Sequence, residues 1–86
     1  MEFPRLMKRK QLEHRMTGVA FAKFLGKSRP WLMQVYCLRD DTRKYKLSEL
    51  TMYDINDKLG IPFEVMEQYN KDVEEHNERL EKSKGR

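Results

Sequence analysis

Cysteine is almost missing from this chain: Cys37 stands alone among 86 residues. A single thiol closes no disulfide framework, so packing must hold the fold together, and the expected compartment is a reducing one. Long apolar runs are missing too. No window of about 18 apolar residues exists, which excludes a membrane-spanning helix. The opening MEFPRLMKRKQLEHR also has no apolar core or small-residue cleavage site of a secretory signal. The expectation is a soluble, cytoplasmic protein. No internal repeat or low-complexity tract is present, and with four glycines and three prolines the breakers are few enough that each marks a boundary.

What is abundant is charge, and it is unevenly placed. Residues 1–46 carry 12 Lys/Arg against 4 Asp/Glu, whereas residues 47–86 carry 6 against 10. The first half is therefore suited to a polyanion and the second is not. With 38% hydrophobic residues, a chain of this length can build one small core and a single compact domain.

The periodicity predicts helices throughout. Arg5 to Arg15 is rich in helix formers, with Leu6, Leu12 and Met16 at roughly helical intervals and Pro4 tolerated in the first turn. Thr17 can cap a second helix whose apolar residues Val19, Phe21, Ala22 and Leu25 end at Gly26. Ser28 can cap a third, with Pro30 near its start and Leu32 and Val35 directed inward. The stretch Leu38 to Lys46 has no apolar period and reads as an exposed loop. A fourth helix runs from about Leu47 or Ser48 to Leu59, with Met52, Ile55 and Leu59 on one stripe and Gly60 ending it. The fifth, after Pro62, is the longest. Its stripe of Met66, Tyr69, Val73 and Leu80, interrupted at His76 or Asn77, exceeds what one small domain can cover and predicts contact with a second copy or partner.

Two helices of about two turns joined at Gly26 must cross steeply, because the turn is too short for an antiparallel hairpin. If Leu25, Leu32 and Val35 fill the inside of that corner, the third helix presents Arg29, Met33 and Gln34 outward. A helix so displayed fits the major groove of duplex DNA, where arginine can read guanine and glutamine can read adenine. Trp31 can either touch the duplex or fold back as partial core.

These residues resemble the helix-turn-helix of the phage-repressor family, the Cro/C1-type or XRE-like proteins. Thr17 matches the capping threonine, Phe21-Ala22 the leucine-alanine pair, and Leu25-Gly26 the leucine-glycine. Ser28 matches the turn serine, and Leu32 and Val35 the two inward aliphatics. The similarity continues through Met52, Ile55, Leu59-Gly60-Ile61 and Val65 or Met66. Three departures stand out. Gly18 replaces the glutamine that often clamps a phosphate, the segment between Val35 and Ile55 is longer than usual, and Asn56 takes the place of a small core alanine.

The resemblance implies an all-α, five-helix, lambda-repressor-like DNA-binding domain with an extended C-terminal helix. Residues 1–73 would form the helix-turn-helix domain and residues 74–86 the helix end with a flexible basic tail. It also implies a sequence-specific regulator of transcription that binds a pseudo-palindromic operator as a homodimer; the small size suits a phage or mobile-element repressor. Base contacts then fall on Ser28, Arg29, Met33 and Gln34, and phosphate contacts on Lys23, Lys27, Arg39, Arg43 and Lys44. Met66, Tyr69, Val73 and Leu80 would make the dimer or partner contact. The alternative is a protein-binding modulator or antitoxin-like subunit on the same fold. An enzyme is not expected, since no nucleophile-base pair or paired-acid signature appears. No metal or cofactor is expected either: His14, His76 and Cys37 have no short ligand spacing.

Overall fold

The computed structural model describes residues 2–37 and 43–84, which form an all-α bundle of five helices. They are α1 (Glu2–Glu13), α2 (Gly18–Phe24), α3 (Arg29–Tyr36), α4 (Glu49–Leu59) and α5 (Phe63–Lys84). No helix among the described residues is long and apolar enough to cross a membrane.

The helix starts follow the polar caps. Thr17 Oγ1 accepts from the Ala20 N–H at 3.2 Å, Ser28 Oγ from Trp31 at 3.3 Å and Ser48 Oγ from Thr51 at 3.3 Å. Each such bond satisfies an N–H that the helix leaves open and contributes about 1 kcal/mol. The stops are equally local. At the end of α2, Lys27 N–H donates to Ala22 O (2.9 Å) and Gly26 N–H to Lys23 O (3.0 Å), with Gly26 at φ +69°. This nested pair needs a left-handed residue. A methyl at Gly26 would meet no atom within 4 Å, so the backbone angle, not space, asks for glycine there.

The same pair of bonds ends α1: Met16 N–H donates to Gln11 O (3.2 Å) and Arg15 N–H to Leu12 O (3.0 Å). Here the left-handed position holds Arg15, at φ 54°. An L side chain costs roughly 1–2 kcal/mol in that region, which glycine avoids. Arg15→Gly should therefore raise the urea midpoint by an amount worth about 1 kcal/mol, and Arg15→Val should lower it.

The core joins all five helices. Phe3 and Met7 of α1, Phe21, Ala22 and Leu25 of α2 with its cap, and Leu32 and Val35 of α3 are buried against Ile55, Leu59, Ile61, Met66, Tyr69 and Val73. The first helix begins earlier than its composition suggests, because Pro4 occupies the first turn without breaking it. Its inward face is Phe3, Met7 and Gln11, while Leu12 is 64% exposed. Val19 lies opposite Phe21 on α2 and is also exposed.

The α5 stripe is a correction to the sequence reading. Met66, Tyr69 and Val73 are at most 1% exposed because α1 and α4 cover them, so they lie in the core and not on the surface; Leu80, beyond them, is half-buried. His76 does not interrupt the stripe but is buried within it. The Tyr69 ring lies 4.8 Å from that of Phe3, and its hydroxyl is buried without a hydrogen-bond partner. Burial pushes the Tyr69 phenol up to about 12, since the phenolate is the form that loses hydration. A raised folded value favours the neutral phenol, so this contribution is present below pH 10 and is lost as pH rises from 10 toward 12. Tyr69→Phe should accordingly be neutral or stabilise by up to about 1 kcal/mol at pH 7. It should also soften the alkaline loss of stability, which a denaturant series from neutral to high pH would read.

Residues 43–48, the strap, belong to no helix, and side chains of α5 hold them in place. Asn77 Oδ1 accepts from Lys44 N–H (3.0 Å) and its Nδ2 donates to Lys44 O (2.8 Å). Asn70 grips Leu47 in the same way, at 2.7 and 3.1 Å. Seven helical residues rise about 10.5 Å. Three extended residues span about 10 Å, so the two amides on α5 and the two peptides on the strap stay in register.

Candidate nucleic-acid interface

The corner of α2 and α3 sets which residues can face a partner. Ala22, Leu25, Leu32 and Val35 are all buried at its inside, at 2% exposure or less. Rotation along the short α3 then leaves Ser28, Arg29, Pro30 and Met33 on the surface, with Met33 42% exposed. Pro30 lies in the first turn of α3, where its missing N–H leaves no gap. The N-terminal end of α3 therefore carries the Arg29 guanidinium at the positive end of the helix dipole, where an anion is favoured.

Lys23 is exposed on α2, and Lys27 sits in the turn with its ammonium 5.6 Å from the centre of the Trp31 ring. Trp31 is half-buried and packs against the core, so it serves as partial core and as a seat for Lys27. Lys58 braces the corner from α4. Its Nζ donates to Phe24 O at 2.8 Å, lies 5.4 Å from the Phe24 ring and pairs with Asp54 at 3.3 Å. Asn56, in place of a small core residue, satisfies its amide by donating to Ile61 O at 2.9 Å. No loosening of the pair α4 and α5 is required.

Two sequence-derived site residues have their polar groups engaged within the fold. The Gln34 side chain, read as an adenine-reader, accepts at Oε1 from Tyr45 N–H (3.3 Å), and its Nε2 is buried without a partner. The strap lies against the C-terminal half of α3 and covers this amide. Lys44, read as a phosphate contact, is 6% exposed, and its ammonium donates to the Cys37 carbonyl at the end of α3. The cause is the Asn77 clamp, which turns the Lys44 side chain toward a helix C-terminus, where a cation is favoured. Arg43 is exposed and 3.9 Å from Glu81, and Lys46 is 3.8 Å from Glu74; exposed pairs of this kind contribute little. Arg39 lies outside the described residues.

Ser28, Arg29, Met33 and Lys23 are thus exposed near the corner and Lys27 is partly exposed, while the Gln34 amide and the Lys44 ammonium are engaged within the fold. The residues that the sequence reading missed are Asn70 and Asn77, whose only local signal is two asparagines seven apart beside the apolar stripe. On the far side, Tyr36 donates from its hydroxyl to Gln11 Oε1 at 2.8 Å, and burial pushes that phenol up to about 12. Among the described residues no group of three or more His, Cys, Asp or Glu is placed to hold a metal ion. No family model, curated protein or solved structure matches the chain.

Proposed function

We propose that the chain is a lambda-repressor-like, sequence-specific binder of double-stranded DNA and acts as a small transcriptional regulator. The observation that carries this reading is the α2–α3 corner, whose inner residues are buried while Ser28, Arg29, Met33 and Lys23 are exposed and Lys27 partly so. An α-helix with its side chains is about 10–12 Å across and the major groove about 12 Å wide. In this arrangement Arg29 reads a base edge, Ser28 at the positive end of α3 meets phosphate, and Lys23 and Lys27 neutralise the flanking backbone.

Arg29→Ala should cost about 1–3 kcal/mol on a duplex enriched from a random pool, and much less on a scrambled one. Lys23→Ala should weaken both duplexes alike and flatten the salt dependence by about one unit of slope. Gln34→Ala should leave discrimination unchanged, since its amide is engaged by the strap. Fluorescence anisotropy with both duplexes across a salt series measures all three. Failure of the wild-type chain to hold any duplex at low salt would sink the proposal.

The engagement of Gln34 also favours a second reading, in which the corner grips a protein, as in a modulator or antitoxin-like subunit. Only one base-reading fork then remains on α3, and exposed Met33 suits an apolar contact. Retention of a protein partner by a chain that binds no duplex would select it.

A further inference from the structure

The outer face of α1 carries Arg5, Lys8, Arg9 and Leu12, all exposed. Two adjoining depressions run along it, of about 270 and 620 Å³, and share Arg5 and Lys8. Their floor is apolar, supplied by Pro4 and Tyr36 at one end and Leu12 at the other, and Lys8 Nζ stands 5.2 Å from the centre of the Tyr36 ring. A phosphate backbone would use the cations but not the floor. The groove fits a segment that brings carboxylates and apolar side chains on one helical face.

That face exists on the same chain. On α4, Leu50 and Tyr53 are 83% and 56% exposed, and Glu49, Asp54 and Asp57 surround them. The apolar pair sits three residues apart, and Leu50 to Asp57 spans seven residues, as does Arg5 to Leu12, about 10.5 Å in each helix. Three cations face three carboxylates, of which only Asp54 has an ion-pair partner among the described residues. Within one molecule α1 packs on α3 and α5, and α4 on α5, so the two faces lie on different helices and both remain open.

We infer that α4 of one copy docks in the α1 groove of the next, with Leu50 and Tyr53 on the apolar floor and Glu49, Asp54 and Asp57 against Arg5, Lys8 and Arg9. The contact is heterologous: each copy offers one face of each kind, so association continues head to tail unless its rotation closes a ring. One helix face on one groove belongs to the small class of interfaces, below about 1,200 Å², and holds weakly. Its charges make it sensitive to salt. No residue of α3 takes part, although Leu50 and Asp54 adjoin Gly26 and Lys27 of the preceding turn, so the reading of α3 is tested by duplex binding and this one by mass in solution.

Sedimentation velocity on the full chain tests it, at about 0.1 M and about 1 M salt, where the screening length falls from roughly 10 Å to roughly 3 Å. The mass should rise with concentration at low salt and return toward monomer at high salt. The exposed reversals Arg5→Glu/Arg9→Glu and Glu49→Lys/Asp57→Lys should each give monomers with unchanged far-ultraviolet circular dichroism. Mixed together, they should associate again, because one retains a native α4 face, the other a native α1 groove, and the two reversed faces are once more opposite in charge. Monomeric wild type at all concentrations, or association that neither reversal weakens, overturns the inference. So does loss of duplex binding by Arg5→Glu/Arg9→Glu while the wild type stays monomeric, which would assign the groove to nucleic acid.

Discussion

The double variant Asn70→Ala/Asn77→Ala should lose most of the chain's stability, and each single variant about 2–4 kcal/mol. Each amide makes two hydrogen bonds to the backbone of one strap residue, its N–H and its C=O, at 2.7–3.1 Å, at Leu47 and Lys44, both buried. Alanine removes both bonds and leaves a peptide N–H and C=O without partners, at about 1–3 kcal/mol for each group that water cannot reach. An 86-residue domain has roughly 4–13 kcal/mol in all, so two such losses approach the total. Asn70→Asp separates clamp from packing: it keeps the acceptor for Leu47 N–H but sets a carboxylate against Leu47 O. It should therefore stay well below wild type at neutral pH although its shape is nearly the same. Urea melts followed by circular dichroism give these values. The same variants should free Gln34, because Tyr45 N–H reaches it only while the strap is held. Amide exchange at Tyr45 would quicken in Asn77→Ala before global unfolding.

The strap also marks the limit of what local sequence carries. The caps at Thr17, Ser28 and Ser48 and the stops at Gly26 and Gly60 follow from short-range hydrogen bonding, and all five are where the chain's polar and glycine residues put them. The inward residues Leu25, Leu32 and Val35 follow from helical period in the same way. Residues 43–46 have no period, so they read as part of the exposed loop from Leu38 to Lys46. Their fixing depends on side chains more than 20 positions away, and a side chain to backbone clamp over that distance leaves no local pattern. Gln34 and Lys44 were misplaced for this one reason. Each has the chemistry of a surface contact, but the strap engages the first and buries the second. Ser28, Arg29, Met33, Lys23 and Lys27 lie nearer the corner, where local rules decide orientation, and their outward position was legible.

Phe3→Ala is expected to cost about 3–5 kcal/mol, the range for deleting a fully buried aromatic side chain. Phe3 has no exposed surface and meets the Tyr69 ring at 4.8 Å with the planes inclined by 52°. A helix starting at Arg5 would have left Phe3 in an end segment, where truncation costs at most about 0.5 kcal/mol. The two values are far enough apart for one melt to separate them. The larger cost also explains why the α5 stripe needs no second chain. Met66, Tyr69 and Val73 look too numerous for a small domain only when α1 begins late; once Phe3 and Met7 lie on its inner face, the stripe has its cover. If the variant melts within about 0.5 kcal/mol of wild type, α1 does not close over α5. Tyr69 and Val73 would then be open to another copy. A loss of several kcal/mol with an unchanged urea slope would instead mean that α1 and α5 unfold with the rest of the bundle as one unit.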